Sequence, residues 1–302
     1  MSILVIGSSN TDLVAHAKSL PKPGETILGG EFFVNPGGKG ANQAVGAARV
    51  GKNITFCCMT GEDDYGKAAK ALFAAEGIDT SYVLSTPDAP SGVALITVDE
   101  NAENCIVVAS GANLKLSPDV VDGIKDFGSY DIVLAQLETP METIEHIGEL
   151  AVKNGVKFVL NPAPAAKLSK KLLSCIDIIT PNETEAEIIT GIHISDDESA
   201  IKAAECIAAS GVGTVIITLG SRGSLIYDAA GPRFVPAFKV KAVDTTAAGD
   251  IFNGSLCVAL SEGKGIDDAV RFASATASIA VTRKGAQASA PTREEVEKVL
   301  NQ

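Results

Sequence analysis

The chain has 302 residues, 46% of them hydrophobic, and a formal net charge of −12. That is enough apolar material to bury roughly three quarters of the unfolded surface without disulfide or metal staples. The negative balance opposes nucleic-acid phosphate and anionic lipid as bulk partners, so any phosphate bound here must be held locally. The first apolar run, ILVI at 3–6, is far too short for a signal core or a membrane span. The six cysteines (57, 58, 105, 175, 206 and 257) form no CxxC pair and the three histidines are scattered. Neither a zinc site nor a disulfide framework is indicated, and a soluble cytoplasmic protein with reduced thiols is expected.

In chain order, apolar runs of strand length alternate with helical patterns. A strand at 3–6 is followed by a helix at 39–50, a strand at 54–59 and a helix at 64–77. A strand at 131–137, a helix at 141–155, strands at 157–161 and 175–180, a helix at 183–191 and a strand at 214–220 continue the rhythm. Strands apolar on both faces, separated by helices, predict an α/β fold: a mostly parallel central sheet with helices on both faces, in one or two compact units. Two segments break the rhythm. Residues 13–35 are rich in Pro and Gly, and 92–110 read as a hairpin around the polar turn DENAEN. Together they predict a small β element apart from the main sheet.

Two stretches match GxxxxGK, at 46–53 and 61–68, but Asn53 and Ala68 stand where a magnesium-holding Ser or Thr belongs. The first also falls at the end of a helical pattern rather than between a strand and a helix start. Both read as helix termini and turns. No GxGxxG follows the first strand, so a dehydrogenase-type dinucleotide site lacks its fingerprint.

What remains is a set of small-residue loops at the carboxyl ends of strands, where open α/β sheets bind ligands. NPGGKGANQA (35–44) runs from a Gly-rich turn into a helix, with Lys39 as a cation and Asn42 one turn beyond Gly38. GSSNTD (7–12) offers Asn10 and Asp12, side chains suited to hydroxyls, although alone it is mostly a turn signal. TPNETEAE (180–187) lets Asn182 and Glu185 reach one point at a helix start, which plain capping would also explain. TLGSRGS (218–224) is a polar turn between two strands, able to present amides to an anion or to be an ordinary hairpin. DTTAAGD (244–250) opens a helix whose unsatisfied amides and dipole suit an anion, with Asp250 beside them.

GGKGANQA (37–44), NETEAE (182–187), TLGSRG (218–223), DTTAAGD (244–250) and TRKGAQAS (282–289) together resemble the two signatures and accessory motifs of the ribokinase family of sugar kinases. The likeness covers essentially the whole chain, in order. It implies a single α/β domain over residues 1–302 with a small β-sheet lid formed by about 13–35 and 92–110, a homodimer formed by pairing lids, and ATP-dependent phosphorylation of D-ribose at the 5-hydroxyl, with magnesium required and a monovalent cation such as potassium activating. By motif match Asp250 is the base, and the amides of Ala247, Ala248 and Gly249 form the anion hole. Sugar contacts fall on Asn10, Thr11, Asp12, Gly38, Lys39, Gly40, Ala41, Asn42, Glu138 and Asp250. Nucleotide contacts fall on Asn182, on Thr218, Leu219, Gly220, Ser221, Arg222 and Gly223, on Gly249 and Asp250, and on Ser274 near the adenine. Glu185 belongs to the motif that organises magnesium through water. The monovalent cation would use Asp244, Thr246, Ala280, Arg283, Gly285 and Ser289, largely through backbone oxygens.

Departures from the family pattern are few. Ala247 stands where many members have Gly, a change tolerated if that residue keeps a negative φ, and Ser274 replaces bulkier residues beside the adenine. Asn10 bears on substrate: deoxyribokinases resemble a GSNMVD start with an apolar residue there, whereas an amide can bind a 2-hydroxyl, which favours ribose. A kinase for deoxyribose, a ketose or a nucleoside on the same fold is the alternative. A silent sugar-binding regulator would be expected to have lost Asp250 or Gly249, and both are present.

Overall fold

The computed structural model describes residues 2–101 and 103–301. A nine-stranded sheet runs through the centre in the order Gly231–Val235, Ser224–Asp228, Thr214–Thr218, Ile178–Ile179, Lys157–Leu160, Ile132–Ala135, Ile3–Ile6, Ile54–Gly61 and Asp79–Thr86. From Thr214–Thr218 to Asp79–Thr86 every pairing is parallel, and the two strands at the other edge are antiparallel. The strands Ile3–Ile6 and Ile132–Ala135 are buried at every position, as a sheet covered on both faces requires. Two apolar clusters flank it. Leu4, Val133 and Phe158 belong to one and Val5, Phe56 and Leu134 to the other, as the alternation of side chains along a strand dictates. The expected α/β architecture is therefore present.

The helix at 39–50 spans Lys39–Val50, and its neighbours begin at Asp64, Met141 and Glu183, each where the pattern places it. The 61–68 match to a phosphate loop is a helix start capped by its own carboxylate, since Asp63 Oδ1 accepts from Gly66 N at 2.8 Å. A second sheet of four strands stands apart, in the order Phe32–Gly37, Asn10–His16, Gly92–Val98, Asn104–Ala109. This is the lid, with wider strand limits than the sequence suggests: Asn10, Thr11 and Asp12 are strand rather than turn. Asn10 pairs with both Gly37 and Gly92. No helix among the described residues is long and apolar enough to cross a membrane, and all six cysteines are unpaired.

Candidate active site

The site forms where two helices begin. Gly38 precedes Lys39–Val50 with φ 90°, a conformation that only glycine adopts at little cost. A Cβ on Gly38 would lie 2.7 Å from Asn10 N, and one on Gly37 would lie 2.3 Å from Asp12 Oδ1. The two glycines thus let the strand carrying Asn10 and Asp12 rest against the helix start. Gly40 N donates to Ser8 Oγ at 3.3 Å and Ala41 N to Ser8 O at 2.9 Å, so these two residues dock the helix on the end of the first strand. Ser8 Oγ in turn donates to Glu138 Oε2 at 2.5 Å, and that oxygen accepts Lys39 N at 3.0 Å. Glu138 ties three segments together. Thr11 sits in the lid ladder between Pro36 and Val93.

Asp250 enters from the second helix, Ala248–Ser261, and is only 6% exposed. It accepts Asn42 Nδ2 at 2.9 Å and Gln43 Nε2 at 3.0 Å. Burial pushes its carboxyl above the ordinary range, against the pull of the Lys39 ammonium and the two amide donors, with Glu138 adding to the rise. Burial likewise lifts Asp12 from 3.8 to about 6, helped by the charges of Glu138 and Asp250. For Lys39 burial works toward discharge, but Asp250, Glu138 and Glu185 together outweigh it and hold the ammonium above its usual value. Carboxylates, amides and an ammonium converging on one buried place suit a neutral polyol, because each bonds a hydroxyl with direction.

Asn10 is also buried, and its amide has a fixed sense. Asn113 Oδ1 accepts Ser9 N at 2.9 Å, which turns Asn113 Nδ2 toward Asn10 Oδ1 at 2.7 Å. The oxygen of Asn10 is therefore spoken for by Asn113, and its N–H2 edge is the one available to a ligand.

The turn before Ala248–Ser261 corrects one expectation. Ala247 does not keep a negative φ: it lies in the left-handed region at φ 58°, ψ 12°. A left-handed residue followed by right-handed helix turns successive amides toward one point, making a small anion-binding concavity. Ala248 N is bonded back to Thr245 O at 3.2 Å, and the first helical bond runs from Ile251 N to Ala247 O at 2.9 Å. The amides of Gly249 and Asp250 are then among the helix's orphan donors. A Cβ on Gly249 would meet nothing within 4 Å, so the space before it is open.

That space continues into a cleft of about 500 Å³ that brings together Thr218, Gly220, Ser221, Gly223, Gly249 and Ser274. Sequence reasoning missed its other wall, the irregular segment 237–245, where Ala237, Phe238 and Val240 give apolar surface beside Ala277 and Val281. Two of the expected nucleotide residues point elsewhere. Arg222 pairs with Glu183 at 2.6 Å and Asp197 at 2.8 Å, anchoring the turn to two helices, and Leu219 is core. Asn182 and Glu185 form a full capping box, each accepting the other's backbone N–H at 2.8 Å. Burial raises the Glu185 carboxyl, although the Asn182 amide and Lys39 oppose it.

The residues expected around a monovalent cation come from two loops joined by backbone bonds, Val243 N to Val281 O at 2.7 Å and Asp244 N to the same oxygen at 3.2 Å. Asp244 accepts Thr246 N and Gly285 N, each at 2.9 Å. Although burial works the other way, these bonds hold its carboxyl below the ordinary range. The Arg283 side chain is taken by Glu295 at 2.5 Å, which leaves its carbonyl as the group able to face the loop. Ser289 Oγ donates to Ala286 O at 2.7 Å, and Ala280 closes the preceding helix.

A buried carboxylate beside an open helix start, with a cleft of nucleotide size in front of it, is the layout of a phosphoryl-transfer enzyme. The model of the pfkB family of carbohydrate kinases matches residues 1–293, and the chain belongs to that family. It is 50% identical over 295 residues to the ribokinase of Haemophilus influenzae, covering 97% of this chain and 96% of that one. The deoxyribokinase of Salmonella typhi is 36% identical over 303 residues, covering 100% and 99%. Among solved structures, the ribokinase of Arabidopsis thaliana complexed with ribose and ATP superposes with a TM-score of 0.92 at 33% identity, covering 100% of this chain and 99% of that one.

Proposed function

We propose that this chain transfers the γ-phosphoryl group of ATP to the 5-hydroxyl of D-ribose, giving D-ribose 5-phosphate and ADP. The observation that carries this reading is Asp250, a buried carboxylate gripped by two amide donors at the first turn of a helix whose orphan amides open into the cleft. Asp250 takes the proton as the hydroxyl oxygen attacks. Burial increases its basicity, while Asn42, Gln43 and Lys39 favour the charged form that a base requires. The amides at the Gly249 turn meet the charge that spreads over the transferring phosphoryl oxygens. Asn10 donates its N–H2 to the 2-hydroxyl, and Asp12, Lys39 and Asn42 bond the rest of the sugar. ATP lies in the cleft, its phosphates toward Gly249 and its base between Phe238 and the helix bearing Ser274.

Magnesium fits as an ion brought with the nucleotide. Glu185 supplies one buried carboxylate, and among the described residues no group of three His, Cys, Asp or Glu side chains stands ready to hold a metal alone. A hard cation that keeps several waters suits that sparse donor set, and it would neutralise phosphate charge. Potassium fits the loops around Asp244, whose carboxylate is held ionised; backbone oxygens of Thr246, Ala280, Arg283, Gly285 and Ser289 would complete the ion's shell. Its charge would stiffen the turn that carries the anion hole. The lid exposes Phe32, Val34, Leu95, Ile106 and Val107, each more than half accessible, which supports a homodimer formed by pairing lids. Unpaired cysteines support a cytoplasmic setting.

The test is ADP release with ribose, deoxyribose, fructose and adenosine, each with and without magnesium and potassium. Ribose with both ions is expected to be fastest; fastest turnover on adenosine would overturn the sugar assignment, and on deoxyribose the role given to Asn10.

A further inference from the structure

Gln43 lies within the GGKGANQA stretch but has no role among the sugar or nucleotide contacts, and it stands at the centre of a buried polar chain. Its side chain is fully buried, and its amide touches three partners. Nε2 donates to Asp250 Oδ1 at 3.0 Å and to Asn161 Oδ1 at 3.0 Å, and Oε1 accepts Gln136 Nε2 at 2.6 Å. A carboxylate can only accept, so Asp250 fixes which end of the Gln43 amide faces it, and Gln43 then fixes Asn161 and Gln136. The chain goes on. Asn161 Nδ2 donates to Thr180 O at 3.1 Å, Thr180 Oγ1 to Asn253 Oδ1 at 2.5 Å, and Asn253 Nδ2 to Gly249 O at 2.8 Å. It begins at the carboxylate and ends on the carbonyl of the peptide that joins Gly249 to Asp250.

From this arrangement we infer that Gln43 and Asn161 are positioning residues for the phosphoryl-transfer centre. Gln43 selects the carboxylate oxygen of Asp250 that is withdrawn from the sugar, leaving the other to Asn42 and the substrate, and it stabilises the charged carboxylate. Asn161 uses both ends of its amide to hold Gln43 in that sense and to carry the constraint toward the anion-hole turn. The groups that act electrostatically on Asp250 give Gln43 its importance. Lys39 favours the charge, whereas Glu138, Asp12 and Glu185 oppose it, so one cation faces three further carboxyl groups. A neutral donor stabilises the carboxylate without adding charge to that balance. The inference rests on Asp250 being the base.

The experiment follows kcat/KM for the sugar from pH 5 to 9 in the wild type, Gln43→Met and Gln43→Glu, with folding checked by circular dichroism and the KM for ATP measured in parallel. Met keeps the volume and removes the donor. Glu keeps the acceptor toward Gln136 but sets a second carboxyl against Asp250, whose repulsion adds to the lost donor; its limb is expected to lie above that of Met, and it serves if Met does not fold. Losing a hydrogen bond to a buried charge raises the carboxyl, so the acid limb of the profile is expected to move up by about one to two pH units. The loss of kcat/KM then approaches about tenfold to a hundredfold below the wild-type limb and shrinks toward pH 9, with the KM for ATP unchanged. An acid limb at the wild-type position in a folded variant overturns the inference, whatever happens to the absolute rate. If the wild type does not phosphorylate ribose, the function reading fails separately, and the limb is read with whichever sugar it does turn over.

Discussion

Gly254 and Gln43 meet backbone to backbone: a Cβ on Gly254 would lie 2.3 Å from Gln43 O and 2.8 Å from Ala47 N. Gly46 makes the matching approach from the other helix, where a Cβ would be 3.2 Å from Ile251 Cα. The crossing of Lys39–Val50 and Ala248–Ser261 is this close because both contact points lack side chains, and the closeness lets Asn42 and Gln43 reach Asp250. Gly254→Ala must push the helices apart. A stability loss of about 1–3 kcal/mol is expected from overpacking, together with a drop in kcat larger than the change in KM for ATP. Thermal unfolding and steady-state kinetics on the same preparation check both, and an unchanged kcat would separate the crossing from catalysis.

Ala247→Gly should be mildly stabilising. A left-handed alanine costs about 1 kcal/mol relative to glycine, part of which is returned through the freer unfolded chain. A net gain of about 0.5 kcal/mol is expected, a rise of roughly 1 °C in Tm for a chain of this size. Turnover stays within about twofold, since the same backbone geometry is kept. Ala247→Val goes the other way on both measures, because a β-branched residue fits the left-handed region poorly.

Asp250→Asn keeps the shape and removes the proposed base. Turnover is expected to fall by about 10³-fold, while ATP binding by calorimetry is retained. Undiminished activity would remove Asp250 from the mechanism. The variant should also be no less stable at pH 7, because the carboxylate it replaces is one that burial disfavours when charged.

Asp12→Asn tests the cost of the sugar site through pH. The folded carboxyl sits near 6 against an ordinary 3.8, so between those values the folded protein holds a proton that the unfolded chain has released. Stability therefore falls as pH climbs through this window and stays lower above it. Replacing Asp12 by Asn should raise Tm at pH 7.5 and change it little at pH 4, while weakening sugar binding. A Tm difference that is the same at both pH values would contradict the assigned shift.

The fold was largely legible because its strands are apolar on both faces and its helices start after recognisable turns, as GGKG shows ahead of Lys39–Val50. Asn10, Thr11 and Asp12 read as a turn because what makes them a strand is pairing with Gly37 and Gly92, distant partners that no local pattern displays. Asp79–Thr86 escapes the alternation because an edge strand buries little of itself. Within the site, the resemblance picks out Asp250, Lys39 and Asn42, and the structure brings them together. The geometry of Ala247 stays hidden, since alanine is ordinarily a helix former. Arg222 falls among the expected nucleotide contacts, but Glu183 and Asp197, contributed by other helices, hold its side chain. The 237–245 wall has no regular element to announce it; it is held by Arg271 of the helix Ile266–Ala280 over the Phe238 ring and by the bonds of Val243 N and Asp244 N to Val281 O.

Asn10 belongs to two structures at once. It is the first residue of an inner lid strand, bonded into a ladder with Gly37 and Gly92, and its amide edge is the one proposed to meet the sugar, with Asp12 two residues along the same strand. A molecule held by these two side chains is thereby held by the lid itself. On that proposal the angle of the lid and the grip on the sugar are one mechanical coordinate, so whatever stiffens or tilts that four-stranded sheet sets how firmly a sugar can be kept.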